Sequence, residues 1–313
     1  MKKSGGIVTS SVMVIALLSA GGLYLSRNQE HKTVDAAARS GAPGKFVKLD
    51  DGVTQYEIGG PDSGRAIVLL SGATVPYYIW DSTANALATK GLRVVRYNYF
   101  GRGLSDRPKL RYDLATYDHQ LTNLLDAIGL RSPVDVAGVS MGGVIAANFA
   151  DQHPQRVRSL ILVDPAFSMF EHPPLPLRIP GVGEYIMTTA AGPGMAKGQF
   201  DDFLHPERHP DWATRYEPQM QYKGFLRSML RTSRGDVFTR PASSFTTLAK
   251  SHIPVLLVWG KEDRTVPFAK NAAVRAAYPN AEFHPIDSAA HLPHIEQAQV
   301  VDSIVLTFLR AHP

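Results

Sequence analysis

The feature that most constrains the fold of this chain is a regular alternation of short apolar runs with helical patterns. The apolar runs cover residues 66–70, 92–99, 134–139, 160–163, 253–259 and 282–286, and the helical patterns cover residues 78–90, 114–128, 142–151 and 268–277, with a closing helix that ends at Leu309. An Asp50-Asp51-Gly52 turn before them predicts an opening β-hairpin. Strands buried on both faces have continuous apolar sequences, and parallel strands need helical crossovers. The order therefore predicts an α/β fold with a mostly parallel central sheet flanked by helices.

One long segment interrupts the alternation. Residues 166–246 are rich in Pro, Gly, Met and aromatic side chains, and helical pieces are expected near residues 185–191 and 212–230. A segment of this length is too long for a bare loop within a compact domain. We interpret it as a helical cap inserted between two parts of the core, residues 45–165 and residues 247–313.

The N-terminal residues 1–27 carry a separate signal. Lys2 and Lys3 precede an apolar stretch from Ile7 to Leu25, which has no charged side chain and approaches the ~20 residues that span a bilayer. This pattern favours an uncleaved membrane anchor, with the rest of the chain outside the cytoplasm (periplasmic or extracellular). A cleaved signal peptide of a secreted protein is the alternative. Residues 28–44 are polar and rich in Ala, and we interpret them as a tether.

Ser140 is the candidate nucleophile. The stretch from Ala137 to Gly143 reads AGVSMGG, and its serine follows a predicted strand and precedes a predicted helix. On such a sharp turn the flanking glycines permit strained backbone angles, the hydroxyl stands above the sheet, and the N-terminus of the helix is directed towards it. A structural serine in a tight glycine-rich turn is the alternative interpretation.

A serine nucleophile needs a base that accepts its proton and an acid that orients the base. Asp263 and His291 each follow a predicted strand, so both are expected at the edge of the sheet where the carboxyl ends of the strands meet. Asp164 also follows a predicted strand and is the alternative acid. The neighbouring Glu262 is interpreted as a surface charge.

Taken together, these residues resemble the pattern of α/β-hydrolase fold serine hydrolases with a helical cap, of the esterase, lipase and meta-cleavage product hydrolase types. The resemblance spans most of Phe46 to Leu309, and its motifs are LLSG (69–72), YNYFGRGLS (97–105), AGVSMGG (137–143), WGKED (259–263) and AHLP (290–293). The order Ser, Asp, His along the chain is also that of this family. By this resemblance the backbone N–H groups of Ala73 and Met141 form an oxyanion hole. The chain departs from the usual pattern at Ser71, where the family has His, and at Asn98, where it has Asp.

The resemblance implies a hydrolase that cleaves a carboxylic ester through a Ser-His-Asp triad and an acyl-enzyme. Because the cap segment is apolar and rich in aromatic residues, we expect a small-molecule ester with an apolar acyl or lipid-like part. A C–C bond hydrolase of the meta-cleavage product type, with the same triad, is the alternative. A non-catalytic ligand-binding protein on the same fold is the alternative from another class.

The composition argues against several other classes. The chain has no Cys, which excludes thiolate metal sites and cysteine nucleophiles. Its 11 His occur without an H-E-x-x-H sequence, and it has neither G-x-G-x-x-G nor a Walker sequence, so we expect no metal and no cofactor. The net charge of +5 is spread over 33 Lys and Arg without a basic tract, so we predict no nucleic-acid partner.

Overall fold

The computed structural model of the protein describes residues 4–313, and for residues 4–12 and Val14 it describes the backbone alone. Within these residues an eight-stranded sheet has the order β1-β2-β4-β3-β5-β6-β7-β8. The strands are β1 Lys45–Leu49, β2 Gly52–Gly59, β3 Ala66–Leu70, β4 Arg93–Tyr97, β5 Val134–Val139, β6 Val157–Val163, β7 Val255–Gly260 and β8 Glu282–Ile286. The pairs β1–β2 and β2–β4 are antiparallel, and all other pairs in the sheet are parallel. The predicted α/β fold class is confirmed.

The helices follow the expected alternation with the strands. They are α1 Ser4–Arg27, α2 Ala36–Arg39, α3 Asp81–Thr89, α4 Leu114–Ala127, α5 Met141–Gln152, α6 Leu175–Arg178, α7 Val182–Ile186, α8 Met195–Gly198, α9 Trp212–Met220, α10 Phe225–Arg234, α11 Thr246–Lys250, α12 Asn271–Ala277, α13 Pro293–Glu296 and α14 Ala298–Ala311. Along β3 the side chains alternate between two apolar layers. Val68 and Leu70 face the layer that includes α4 and α5, whereas Ile67 and Leu69 face the layer that includes α3 and α14. Because both faces are covered, every residue of β3 is buried.

The opening hairpin forms where its turn signal stands. Leu49 pairs with Gly52 in the β1–β2 register, which leaves Asp50 and Asp51 as the two turn residues. Gly52 therefore begins β2 directly after the turn. The hairpin extends the parallel part of the sheet on one side by an antiparallel edge.

The segment between β6 and β7 is the helical cap. It contains α6 to α11 and a π-helical turn at Met187–Ala191, which continues directly from α7. Side chains of the cap, among them Phe203 and Trp212, pack in one apolar layer with Val75 and Ile79 of the core. The helical insertion is confirmed, and its predicted limits at residues 166 and 246 stay a prediction.

The N-terminal helix α1 differs from the rest of the fold in its exposure. Its large side chains Met13, Ile15, Leu17, Leu18, Leu23 and Leu25 are all exposed. Across residues 4–313, no helix combines the length and the apolar character that crossing a membrane requires. The predicted anchor over residues 1–27 therefore has no support from the structure, and Lys2 and Lys3 lie outside the described residues.

Residues 28–44, interpreted above as a tether, make specific contacts with the cap. The carboxylate of Glu30 accepts hydrogen bonds from the backbone N–H groups of Gly224 (2.8 Å) and Leu226 (2.6 Å), at the start of α10. Lys32 forms a parallel bridge with Tyr222. A carboxylate at a helix N-terminus satisfies N–H groups that have no acceptor within the helix. The segment before the core thus holds the first turn of α10.

Candidate active site

Ser140 occupies a strained turn between β5 and α5. Its backbone angles are φ 56° and ψ −121°, which are rare for a residue with a side chain. The turn is fixed by a hydrogen bond from the Ser140 N–H to the Val163 carbonyl (2.9 Å), and the Ser140 carbonyl accepts from Gly143 and Ala166 (both 3.0 Å). Within the described residues its hydroxyl has no hydrogen-bond partner. The predicted strand-to-helix turn is therefore present, with a hydroxyl available to a ligand.

The glycines beside Ser140 are required by close backbone packing. A Cβ atom at Gly142 would collide with the carbonyl oxygens of Leu70 and Ser71, and one at Gly138 would collide with the carbonyl of Gly142. Both obstacles are backbone atoms, which cannot move aside as a flexible side chain can. The first turn of α5 therefore lies directly against the loop that follows β3.

Asp263 and His291 form a buried hydrogen-bonded pair. Asp263 Oδ2 lies 2.8 Å from His291 Nδ1, while Asp263 Oδ1 accepts from the N–H groups of Thr265 and Val266 (both 2.9 Å). Only 5% of Asp263 and 3% of His291 is exposed, so solvent screens this pair little. Burial by itself would lower the pKa of His291. The hydrogen bond and charge of Asp263 and the charge of Asp202 outweigh burial and raise it.

The topology of the sheet brings the three predicted residues to one edge. Ser140 follows β5, Asp263 follows β7 and His291 follows β8, and the strands from β5 to β8 are parallel. Their carboxyl ends therefore lie along the same edge. Asp263 and His291 are hydrogen-bonded to each other, whereas no hydrogen bond joins Ser140 to either of them among the described residues.

Asp164, the alternative acid, is close to this pair but does not bond to the imidazole. It is fully buried at φ 43°, and its Oδ1 accepts from the Gly260 N–H at 2.9 Å. One oxygen of Asp164, one of Asp263 and a ring nitrogen of His291 lie within 4.8 Å of one another. Because Nδ1 and both oxygens of Asp263 are already engaged in hydrogen bonds, we assign these atoms to a hydrogen-bonded network and not to a metal site.

Glu262 is not part of this network. Its Oε2 accepts from the Ala289 N–H at 3.1 Å, and it has no contact with His291 among the hydrogen bonds and ion pairs of the described residues. The carboxylate therefore braces the loop that carries the histidine. It is half-buried, which makes it more than the surface charge that the sequence suggested.

Ala73 and Met141, the residues expected to form an oxyanion hole, each have a backbone N–H without an acceptor among the described residues. Met141 is the first residue of α5, where N–H groups have no acceptor within the helix. The N–H of Ala73 has no protein acceptor among the described residues. The loop that carries Ala73 is held by its carbonyl groups, since Tyr99 Oη donates to Ser71 (3.0 Å) and Trp80 Nε1 donates to Leu70 (3.1 Å).

Arg102 was not identified from the sequence as a functional residue, yet it connects this loop to the cap. Its side chain is fully buried, and Nε donates to the Ala73 carbonyl at 2.5 Å. Its two terminal nitrogens donate to Ser228 Oγ (2.9 Å) and Thr232 Oγ1 (3.2 Å), both on α10. No carboxylate pairs with Arg102 in the described part of the chain. The available signal was its place in the YNYFGRGLS motif.

The two departures from the family pattern have different structural consequences. Asn98 is buried, and its Oδ1 accepts from the Tyr77 N–H (2.7 Å) while its Nδ2 donates to Gln55 Oε1 (2.7 Å). The amide therefore satisfies a donor and an acceptor at once, which a carboxylate cannot do. The hydroxyl of Ser71 is buried without a protein partner among the described residues, beside the loop that carries Ala73.

A cavity of 550 Å³ lies between the cap and the antiparallel side of the sheet. Its walls include Tyr77, Tyr78, Arg96 and Arg215, and ion pairs of these arginines with Glu57 and Asp81 lie along it. Ser140, Asp263 and His291 are not among its lining residues. We therefore treat this cavity as separate from the candidate active site.

The chain belongs to the alpha/beta hydrolase family, whose model matches residues 67–303. It is similar to the 2-hydroxy-6-oxononadienedioate/2-hydroxy-6-oxononatrienedioate hydrolase of Paraburkholderia phymatum, with 26% identity over 300 residues, which cover 86% of this chain and 96% of that protein. Its fold is similar to that of a thermophilic esterase from Thermogutta terrifontis (TM-score 0.72, 22% identity, 86% of this chain and 100% of the esterase). It is also similar to that of a membrane phospholipase A described as a bacterial virulence factor (TM-score 0.70, 24% identity, 98% of this chain and 97% of the phospholipase). The predicted resemblance to α/β hydrolases is confirmed.

Proposed function

We propose that the protein is a serine hydrolase that cleaves a carboxylic ester, with Ser140 as nucleophile, His291 as base and Asp263 as the acid that orients the base. The observation that carries the proposal is the 2.8 Å hydrogen bond between Asp263 and His291, at the sheet edge where Ser140 occupies its strained turn. Membership of the alpha/beta hydrolase family supports hydrolytic chemistry.

The reaction follows from the hydrogen bond at Nδ1. When His291 donates its Nδ1–H to Asp263, Nε2 is left without a proton and accepts that of Ser140. The Ser140 oxygen attacks the ester carbonyl, and the N–H groups of Ala73 and Met141 stabilise the oxyanion, each by ~3 kcal/mol. His291 then protonates the leaving alcohol, and the acyl-enzyme forms. A water molecule, deprotonated by His291, releases the acid.

The surroundings of His291 favour an apolar acyl group. The backbone carbonyl of Asp202, the cap residue before Phe203, accepts a hydrogen bond from the His291 N–H. The Phe203 ring packs against Trp212 with centroids 5.1 Å apart. On the side of Ser140, Phe167 and Phe245 pack together at 5.8 Å, in the same apolar layer as Ala166. An apolar acyl chain would lose water contacts and gain dispersion contacts in such surroundings. We therefore assign a small-molecule ester with an apolar or lipid-like acyl part.

Cleavage of a C–C bond is the second candidate. The relative from Paraburkholderia phymatum is named for the hydrolysis of a dienedioate, and the similarity extends over 86% of this chain. The same three side chains would serve that reaction. A dioate carries two carboxylates, however, and the buried Arg102 already donates from each of its three nitrogens to protein oxygens. This makes the ester the better match.

The full-length chain, assayed with p-nitrophenyl esters from acetate to palmitate, tests the proposal. We expect hydrolysis that is lost in Ser140→Ala and kept in Ser168→Ala, a matched control because Ser168 also has a positive φ (48°) but is exposed. The acyl chain length that gives the highest activity would then indicate the size of the acyl site. Labelling of Ser140 by a fluorophosphonate without ester turnover would transfer the assignment to C–C cleavage. Absence of both labelling and turnover would overturn the assignment as a serine hydrolase in favour of a ligand-binding protein.

The location of the protein is a separate hypothesis. The fold similarity to a membrane phospholipase A extends over 98% of this chain and thus includes the N-terminal region, which supports a membrane location. Fractionation of cells that express the full-length chain, with extraction by carbonate and by detergent, tests whether it is membrane-bound. Recovery in the soluble extracytoplasmic fraction with a shortened N-terminus would support the cleaved signal peptide instead.

A further inference from the structure

Asp164 is a buried carboxyl group that the proposed reaction does not use. It follows β6, and none of its surface is exposed. Its Oδ1 accepts from the Gly260 N–H, but Oδ2 has no hydrogen-bond donor among the described residues. One oxygen of Asp164 lies within 4.8 Å of a carboxylate oxygen of Asp263 and of a ring nitrogen of His291. A buried acceptor that faces another acceptor is costly unless one of them carries a proton.

The two carboxyl groups differ in how well they are supplied with donors. Asp263 accepts three hydrogen bonds, from Thr265, Val266 and His291. Asp164 accepts one, at Oδ1, and its Oδ2 has no hydrogen-bond partner among the described residues. Donors favour the ionised form, and two buried carboxylates in proximity cannot both be ionised cheaply. The proton therefore belongs on Asp164, and its free oxygen is the position from which it can be donated.

We propose that Asp164 carries a proton at neutral pH and donates it in a hydrogen bond to Asp263, so that it is a positioning residue behind the acid of the triad. Its role in turnover rests on the proposed function, whereas its protonation does not. This positioning role breaks and forms no covalent bond, because the proton stays on Asp164 throughout the reaction.

Burial and the neighbouring carboxylates both raise the pKa of Asp164. Burial is the first cause that raises its pKa well above the usual range, the charge of Asp263 is the second, and Glu296 adds to it. The hydrogen bond from the Gly260 N–H opposes them. His291 is the facing cation when protonated, and its own hydrogen bond goes to Asp263. Glu296 is itself occupied by the N–H groups of Leu204, His205 and Ala290.

Asp164→Asn is the informative variant, because Asn tolerates a positive φ and its amide can replace both the acceptor and the donor of a protonated carboxyl. In infrared spectra of protein with ¹³C-carboxyl Asp, we expect a protonated-carboxyl band at pH 8 in the wild type that is missing in Asp164→Asn. We also expect the NMR titration midpoint of His291 to be the same in both proteins. If Asp164 were ionised, the substitution would remove a nearby negative charge and lower that midpoint by about 1 to 3 units.

Kinetics test the positioning role. We expect Asp164→Asn to keep kcat/KM near that of the wild type, and Asp164→Ala to lose it by about 10- to 100-fold through kcat, the loss typical of one hydrogen bond to a charged group. Equal losses in both variants would overturn the positioning role. Absence of the infrared band, or a lowered His291 midpoint, would overturn the protonation even if Asp164→Ala failed to fold. Neither spectroscopic result needs a substrate, so failure of the proposed function would be seen separately.

Discussion

Replacement of Asp263 by Asn would test how the acid acts on His291. The Oδ1 atom of Asp263 accepts from two backbone N–H groups, those of Thr265 and Val266, and Oδ2 faces His291 Nδ1 at 2.8 Å. In Asp263→Asn the amide oxygen keeps the two backbone bonds, because only it can accept them. The amide NH₂ must then face the imidazole and donate to Nδ1. The ring proton moves to Nε2, which can no longer accept a proton from Ser140.

The expected loss follows from this change of tautomer. We expect kcat of Asp263→Asn to fall by about 10⁴-fold, the effect of the corresponding substitution in serine proteases. That ratio is equivalent to about 5.5 kcal/mol of activation free energy. The KM should change little, since Asp263 is buried behind His291 and has no surface for the substrate. The pKa of His291 should also fall, because the hydrogen bond and the charge of Asp263 help to raise it.

Steady-state hydrolysis of a p-nitrophenyl ester measures this effect, with Glu262→Gln as the matched control. Glu262 is the neighbouring carboxylate, and it bonds to the Ala289 N–H instead of to His291. Its amide variant keeps an acceptor for that bond, so we expect near wild-type activity. Retention of more than about a tenth of kcat in Asp263→Asn would refute the tautomer argument, since one misplaced proton at the base should cost far more. An equal loss in Glu262→Gln would show that the loss does not depend on the hydrogen bond between the carboxylate and His291.

Two further predictions concern the pH profile and Arg102. The kcat/KM of the wild type should rise with pH through a midpoint above 6.5, the ordinary pKa of His, because His291 accepts a proton only when it is neutral and its pKa is raised. Initial rates measured across the pH range test this, and a midpoint at or below 6.5 would contradict it. Arg102→Lys should lower kcat/KM by at least about 10-fold, since one ammonium cannot span the Ala73 carbonyl and the hydroxyls on α10 as the guanidinium does, whereas the exposed Arg131→Lys should have no effect.

The sequence predicted most strands well because continuous apolar runs end at turn residues. The runs at residues 134–139 and 282–286 coincide with β5 and β8. The start of β6 was placed three residues too late, since Arg158 and Ser159 interrupt the apolar pattern. In the structure Ser159 Oγ donates to Asp135 Oδ1 at 2.7 Å, and Arg158 pairs with the same carboxylate at 3.3 Å. These contacts with the neighbouring strand offset the cost of burying polar groups in β6. The sequence of one strand alone does not show which residue of the next strand will lie opposite.

The positions of the site residues were also predictable to a limited extent. That Ser140, Asp263 and His291 share one edge follows from strand order alone, since each residue follows a parallel strand. The contacts of Arg102 and Asp202 with the site were not predictable. The bonds of Arg102 to α10 and those of Asp202 depend on how the cap packs on the core. Short cap helices with few periodic residues leave that packing undetermined in the sequence.

The cap takes part in the geometry of the site on both of its sides. The backbone carbonyl of Asp202 accepts from the His291 N–H at 3.0 Å, and its Oδ1 accepts from Thr265 Oγ1 at 2.7 Å, in the loop that also supplies donors to Asp263. On the other side, Arg102 joins the Ala73 carbonyl to α10. Lifting the whole cap away from the core would break the hydrogen bonds of Asp202 with His291 and Thr265 and those of Arg102 with α10. Under the proposed function, a cap movement that admits substrate and keeps these hydrogen bonds would involve cap segments other than α10 and the residues around Asp202.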